Sequence, residues 1–217
     1  MSSPERLAVV CGTATDVGKT WVACRLLRGL RHRGVPVAAR KPAQSFVHDD
    51  DATDAELLAA ASAEVPRDVC PAHRWYPVAM APPMAAEALG RETFTAVSLA
   101  AELDWPAGTA VGIIETAGGV RSPLASDGDT VTFCRLFAPD IVILVADAGL
   151  GTINAVRLSA GALQDGGAPV VVYLNRYDAT RELHRRNRDW LARRDRFDVV
   201  TSVGELLDRL LASSPRR

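Results

Sequence analysis

Unbroken apolar runs alternate with amphipathic stretches along the chain. Residues 7–11, 35–40, 109–115, 140–146 and 169–174 read as strands, and 197–201 as a last short one. Their apolar character is continuous rather than alternating, which predicts parallel strands covered on both faces. Residues 19–33 read as a helix, with Val22, Leu26, Leu27 and Leu30 on one face and Gly34 at its end. Further helices are predicted over 55–63, 130–137, 153–163 and 203–211. A basic helix over 181–196 has Leu183, Trp190 and Leu191 as candidate buried residues. Residues 65–83 are rich in proline and poorly periodic, and predict a long loop over the sheet edge. Short helices follow near 84–89 and 96–103, and Ala117-Gly118-Gly119 opens a flexible loop reaching about Asp129. This alternation predicts a doubly wound, mainly parallel α/β sheet, as one domain over residues 1–217. Ligands of such a sheet bind at the carboxyl ends of its strands, where Gly12, Lys41, Glu115, Asp147 and Asn175 fall.

Composition narrows the classes. The chain has 217 residues, 48% apolar and 24% charged, enough for a full globular core. A formal net charge of −1 gives no field suited to nucleic acid or a membrane surface. The basic stretch 181–196 is therefore read as a solvated face. No apolar run approaches bilayer length. Residues 1–6 lack the basic region and apolar stretch of a secretory signal, so a cytoplasmic protein is expected. Cys11, Cys24, Cys70 and Cys134 are scattered without a Cys-x-x-Cys pair and are expected to be reduced thiols. His32, His48, His73 and His184 show no metal-ligand spacing and are read as solvated or packing residues.

The chemistry concentrates after the first apolar run, in Gly12-Thr13-Ala14-Thr15-Asp16-Val17-Gly18-Lys19-Thr20. Strand, glycine-flanked polar loop, then helix is the order of a phosphate-binding loop. Glycine lets backbone approach phosphate oxygens, and the helix N-terminus attracts the anion. Lys19 would reach the terminal phosphates, and the Thr20 hydroxyl would hold Mg²⁺. Five residues separate the glycines where the common motif has four, so this is a variant loop. Glu115 sits where a Walker-B acid would and completes the metal set with Thr20. Asp54 fits either a metal ligand or a helix-start charge. Asp49–Asp51 are read as a solvated acidic turn. Lys41 is either a second phosphate clamp or an exposed strand-end lysine. Asn175 either reads a purine edge or closes a turn.

Several motifs, taken together, resemble the dethiobiotin synthetase family. The variant loop matches Gly12–Thr20, and Lys-Pro-x-x-Ser matches Lys41-Pro42-Ala43-Gln44-Ser45. An acid after that segment matches Asp54, and Glu-x-Ala-Gly-Gly matches Glu115–Gly119. A Leu-Gly-x-Ile-Asn stretch matches Leu150–Asn154, and an asparagine after the next strand matches Asn175. The motifs keep the family order up to Asn175. The chain departs at Thr116 and Phe46, where the family commonly has glycine, and in the stretch Asn175-Arg176-Tyr177-Asp178.

The resemblance implies an ATP-dependent, Mg²⁺-requiring cyclo-ligase of biotin synthesis. Its substrate would be 7,8-diaminopelargonate, which takes up CO₂ as a carbamate. ATP phosphorylates the carbamate, and the neighbouring amine closes a cyclic urea. Lys19, Lys41 and Thr15 would be catalytic. Gly12, Thr13, Asp16, Val17, Gly18, Lys19, Thr20 and Asn175 would hold the nucleotide, and Thr20, Asp54 and Glu115 the metal. Ser45, Gly118, Gly151, Thr152 and Asn154 would bind substrate, the last three across a homodimer interface. Two alternatives stay open: a ParA/MinD-like NTPase switch, although residues 12–15 lack the lysine of that signature, and a related synthetase acting on another diamine. The Asn175…Asp178 spacing is similar to the guanine-reading motif of GTPases, but ATP is the expected nucleotide.

Overall fold

The computed structural model describes residues 3–47 and 52–212; the acidic run Asp49–Asp51 and His48 lie outside the described residues. β1 (Arg6–Gly12) leads through the phosphate loop into α1 (Lys19–His32) and β2 (Val37–Arg40). A two-residue strand β3 (Gln44–Ser45) precedes α2 (Asp54–Ser62) and a short α3 (Pro66–Val69). A 3₁₀ turn leads to β4 (Trp75–Tyr76), then α4 (Pro82–Ala88), α5 (Ala96–Ala101) and β5 (Val111–Gly119). The chain continues as α6 (Thr130–Phe137), β6 (Ile141–Asp147), α7 (Thr152–Asp165) and β7 (Val170–Asn175). It closes with α8 (Glu182–Asp189), β8 (Asp198–Val200) and α9 (Val203–Ala212).

Six strands form one sheet in the order β2-β5-β1-β6-β7-β8, and every pairing is parallel. Alternate residues of β1 feed opposite faces, as the strand period of two requires. Ala8 and Val10 join a core under α1, α2 and α9. Leu7, Val9 and Cys11 join another under α6 and α7. This is the doubly wound arrangement that the continuous apolar runs predict.

Residues 65–83 are not one long loop. They hold α3, the 3₁₀ turn and β4, and β4 pairs in parallel with β3 through Gln44↔Trp75 and Ser45↔Tyr76. A third apolar cluster, with Tyr76, Phe94, Leu99, Leu124 and Phe133, packs beneath this pair. Strands this short carry no period, so pattern reading passes over them. Ala117–Gly119 belongs to β5 rather than opening a loop. Of the candidate buried residues in 181–196, Leu191 is buried, whereas Leu183 and Trp190 are exposed. The helix changes there to a π-helical turn over Trp190–Arg194, which shifts the register of the inward-facing positions. All four cysteines are free and buried. His184 is buried as well, its Nδ1 accepting from the Asp178 backbone N–H at 3.0 Å. Among the described residues no helix is long and apolar enough to cross a membrane.

Candidate functional site

The phosphate loop is held by its own geometry. Thr13 N–H donates to Val145 O at 3.0 Å, tying the loop start to β6. Asp16 adopts φ 57° and Gly18 φ 94°, so the loop turns twice through the left-handed region. Glycine is needed at 18 for two reasons. Positive φ disfavours a side chain, and a Cβ there would stand 2.2 Å from Asn175 Nδ2. That Nδ2 donates to Val17 O at 2.9 Å, so Asn175 at the end of β7 pins the loop from below. Arg176 adds a second staple: its guanidinium donates to Asp16 O at 3.1 Å and reaches Asp147 Oδ2 at 3.3 Å. Lys19 Nζ donates to Ala14 O at 3.0 Å, which folds the lysine back over the loop. Burial, and then the charge of Lys41, lower the Lys19 pKa. A bound polyanion would reverse that balance.

The cationic and acidic residues singled out from sequence converge at the mouth of this loop. Lys41 Nζ lies 2.6 Å from Asp54 Oδ2 and 2.6 Å from Glu115 Oε1. The Thr20 hydroxyl lies 2.7 Å from Asp54 Oδ1 and 2.9 Å from Glu115 Oε1. It has one proton, so it donates to one carboxylate at a time. Lys41 is thus no exposed strand-end residue; it is 1% exposed. Burial opposes its charge, but Asp54 and then Glu115 outweigh this and hold its pKa above the ordinary lysine range. Lys41 lowers the Asp54 pKa against the effect of burial. Burial raises that of Glu115, with Lys41 opposing.

The cluster fits a divalent cation. Two carboxylates and a hydroxyl are hard oxygen donors. Glu115 Oε2 is buried with no hydrogen-bond partner, an oxygen that a cation or its water would satisfy. Among the described residues no group of three His, Cys, Asp or Glu could hold a metal, so the Thr20 hydroxyl is needed to complete the set.

A cleft of about 460 Å³ opens over this cluster, lined by Thr15, Asp16, Gly18, Lys19, Thr20, Lys41, Gln44, Ser45, Phe46, Asp54, Ala117, Gly118 and Arg176, among others. Ser45 Oγ donates to Met80 O at 2.6 Å at its edge. Phe46 lines the cleft, edge-on to Trp75 at 6.1 Å. Thr116 does not line it; it is buried in β5. A second cleft of about 420 Å³ is lined by Gly18, Trp21, Tyr173, Asn175, Arg176, Tyr177 and Thr201. Asp178 stands outside both clefts, its Oδ1 accepting from the Thr180 backbone and hydroxyl at 2.8 and 2.7 Å. Gly12 and Val17 support the loop from within: a Cβ at Gly12 would meet Val17 Cγ2 at 2.7 Å. Gly151, Thr152 and Asn154 line neither cleft.

Three participants escaped the sequence reading. Gln44 is buried, and its Oε1 accepts from Ala55 N–H at 2.9 Å, fixing the first turn of α2 beside Asp54. The α2 start is also closed by a capping box, with Thr53 and Glu56 bonding reciprocally. Arg176 and Trp21 are the others. The Gln44 position inside Lys41–Ser45 and that of Arg176 beside Asn175 were the available signals.

Comparison with known proteins agrees with this geometry. The profile of a family described as an AAA domain matches residues 6–208. An ATP-dependent dethiobiotin synthetase of Anaeromyxobacter dehalogenans (strain 2CP-C) is 39% identical over 171 residues, covering 77% of this chain and 75% of the relative. One from Haloferax mediterranei is 38% identical over 185 residues, covering 82% and 75%. The fold is similar to that of a plasmid partition protein of Borrelia burgdorferi B31 bound to AMPPNP, with TM-score 0.55, 12% identity, and coverage of 94% of this chain and 90% of that one. That likeness extends to the fold alone. Loop, acidic cluster and sequence identity together place the chain: it belongs to the dethiobiotin synthetase family.

Proposed function

We propose that this chain is an ATP-dependent dethiobiotin synthetase, closing a cyclic urea on 7,8-diaminopelargonate with CO₂ and ATP. The observation that carries the reading is the buried cluster of Lys41, Asp54, Glu115 and Thr20 at the mouth of the phosphate loop. One amine of the diamine adds to CO₂ and loses a proton, giving a carbamate. A carbamate oxygen attacks the terminal phosphorus of ATP, and ADP departs. The second amine then attacks the carbonyl carbon of the mixed anhydride, and phosphate leaves as the ring closes.

Phosphoryl transfer of this kind is positioning plus charge stabilisation. Lys19 and Lys41 both line the cleft and would supply positive charge to the transferring group. Thr15, at the cleft wall, would donate to a terminal phosphate oxygen. Backbone N–H groups at the start of α1 take the remaining phosphate oxygens. Thr20, Asp54 and Glu115 would hold Mg²⁺, whose charge offsets that of the phosphates. Ser45 and Gly118 would position the diamine. Ring closure is intramolecular, so fixing the diamine gives a large entropic advantage.

Gly151 and Asn154 serve this reading through a homodimer, whereas Thr152 is buried with its hydroxyl enclosed and does not face a partner. Gly151 and Asn154 are exposed at the start of α7 and away from their own clefts. From there the Asn154 of one subunit would reach the substrate carboxylate in the other, with Leu150, 92% exposed, at the contact. Sedimentation showing a fully active monomer would overturn this. ATP is the donor: the Asp178 carboxylate, which a guanine reading needs, is engaged with Thr180. The direct test is ATP turnover that depends on both bicarbonate and a vicinal diamine. Turnover independent of either would sink the reading. One observation favours a differently shaped diamine as a second reading, namely Phe46 in the cleft wall where the family commonly has glycine.

A further inference from the structure

We infer that Trp21 is the platform on which the nucleobase stacks, and that this aromatic surface, more than edge hydrogen bonding, sets nucleotide affinity and purine preference. The inference rests on the ATP-dependent reading above and assigns the second cleft. Lys19 and Trp21 share the first turn of α1, two residues apart, which places them about 200° apart around the helix axis. Lys19 accordingly lines the phosphate cleft and Trp21 the second one. Gly18 and Arg176 line both, so the two spaces meet at the end of the phosphate loop. A triphosphate seated over Lys19 therefore has its nucleoside end directed past Gly18 toward Trp21.

The chemistry of the second cleft suits a flat heteroaromatic group. Trp21, Tyr173 and Tyr177 contribute three aromatic rings. Trp21 is 50% exposed, so the core does not explain an indole at this position. Its ring is held by the Arg25 guanidinium, one turn along α1, at 5.6 Å from the centroid. Polar readers are few by contrast. Asn175 uses one Nδ2 hydrogen on Val17 O, leaving its Oδ1 and one N–H for a base edge. With one side-chain amide offered by Asn175, stacking area, which is larger for a purine than for a pyrimidine, carries the rest of the discrimination.

The test titrates ATP, CTP and inorganic tripolyphosphate, each with Mg²⁺, into the wild-type chain, Trp21→Ala and Trp21→Phe. Loss of one base–aromatic stack weakens ATP binding roughly fivefold to a hundredfold. Trp21→Phe restores most of it, and the preference for ATP over CTP narrows in Trp21→Ala. Tripolyphosphate, which has no base, binds all three proteins alike. In turnover assays the change falls on the KM for ATP. Wild-type ATP affinity in Trp21→Ala overturns the platform. So does a parallel loss of tripolyphosphate binding, which would mean that the start of α1 had been damaged. Absence of diamine-dependent ATP turnover in the wild-type chain instead overturns the ATP-dependent reading itself.

Discussion

Replacing Lys41 with methionine isolates the charge at the centre of the cluster. Methionine keeps most of the buried aliphatic stem and removes the ammonium. Two carboxylates then face each other without their cation. Glu115 is fully buried and the Asp54 side chain is 39% exposed. Breaking a buried pair by removing one partner costs ~3–5 kcal/mol, and the partial exposure of Asp54 places this case near the lower end. About 3 kcal/mol lowers the unfolding midpoint of a chain this size by roughly 6–12 °C. The loss should also grow with pH. Burial raises the Glu115 pKa, and without Lys41 the Thr20 hydrogen bond is left to oppose that. A carboxyl with a raised folded pKa binds its proton more tightly in the native state, so stability is complete below the ordinary glutamate range and falls as pH rises through the raised value. Magnesium should recover more stability in the variant than in the wild type, because it returns charge to the same two carboxylates. The assay is thermal unfolding at several pH values, with EDTA and with Mg²⁺. An unchanged midpoint in EDTA, or an equal response of both proteins to Mg²⁺, would refute the reasoning.

Other expectations follow from the same geometry. Lys19→Ala should cost ~3–4 kcal/mol of transition-state stabilisation, about a hundredfold or more in kcat, while circular dichroism shows an intact fold. Gly18→Ala should destabilise the loop through both its φ of 94° and a Cβ 2.2 Å from Asn175 Nδ2; adding Asn175→Ala should restore part of the loss by removing the contact, and strictly additive unfolding energies would count against that account. Thr53→Ala removes the N-cap of α2 and should cost ~1 kcal/mol by denaturant titration, with weaker Mg²⁺ binding because Asp54 is the first residue of that helix. Phe46→Gly should change kcat/KM for diamines of different shape, leaving ATP affinity as it is; a tenfold gain on diaminopelargonate, about 1.4 kcal/mol, would favour another native diamine.

The phosphate loop was legible because its chemistry is local: nine consecutive residues carry both the backbone turns and the side chains. The sheet was legible for a related reason, since parallel strands buried on both faces leave unbroken apolar runs. Lys41 was visible as a strand-end lysine, yet its burial between Asp54 and Glu115 depends on β2, α2 and β5 meeting. No spacing rule records that. The amide of Asn175 faces the same limit. Its position fits a purine edge or a turn, and no sequence signal records that its nitrogen holds Val17. Nothing in the sequence separates Trp21 from the other apolar residues of its amphipathic helix, although it lines a cleft and is half exposed. The β3–β4 pair escaped because two residues cannot display a period.

The bonds that shape the site span long stretches of chain. Lys41 reaches Glu115 across 74 residues, Thr20 reaches Glu115 across 95, and Asn175 reaches Val17 across 158. Contacts of such separation form only after the intervening loops have closed, which makes them late events in folding. During synthesis the phosphate loop emerges early, but its support from β7 comes only when most of the chain has left the ribosome. A nascent or truncated chain ending before β7 would carry the whole loop motif and lack the residue that pins it. Support of the phosphate loop in this protein therefore waits on completion of the sheet as far as β7.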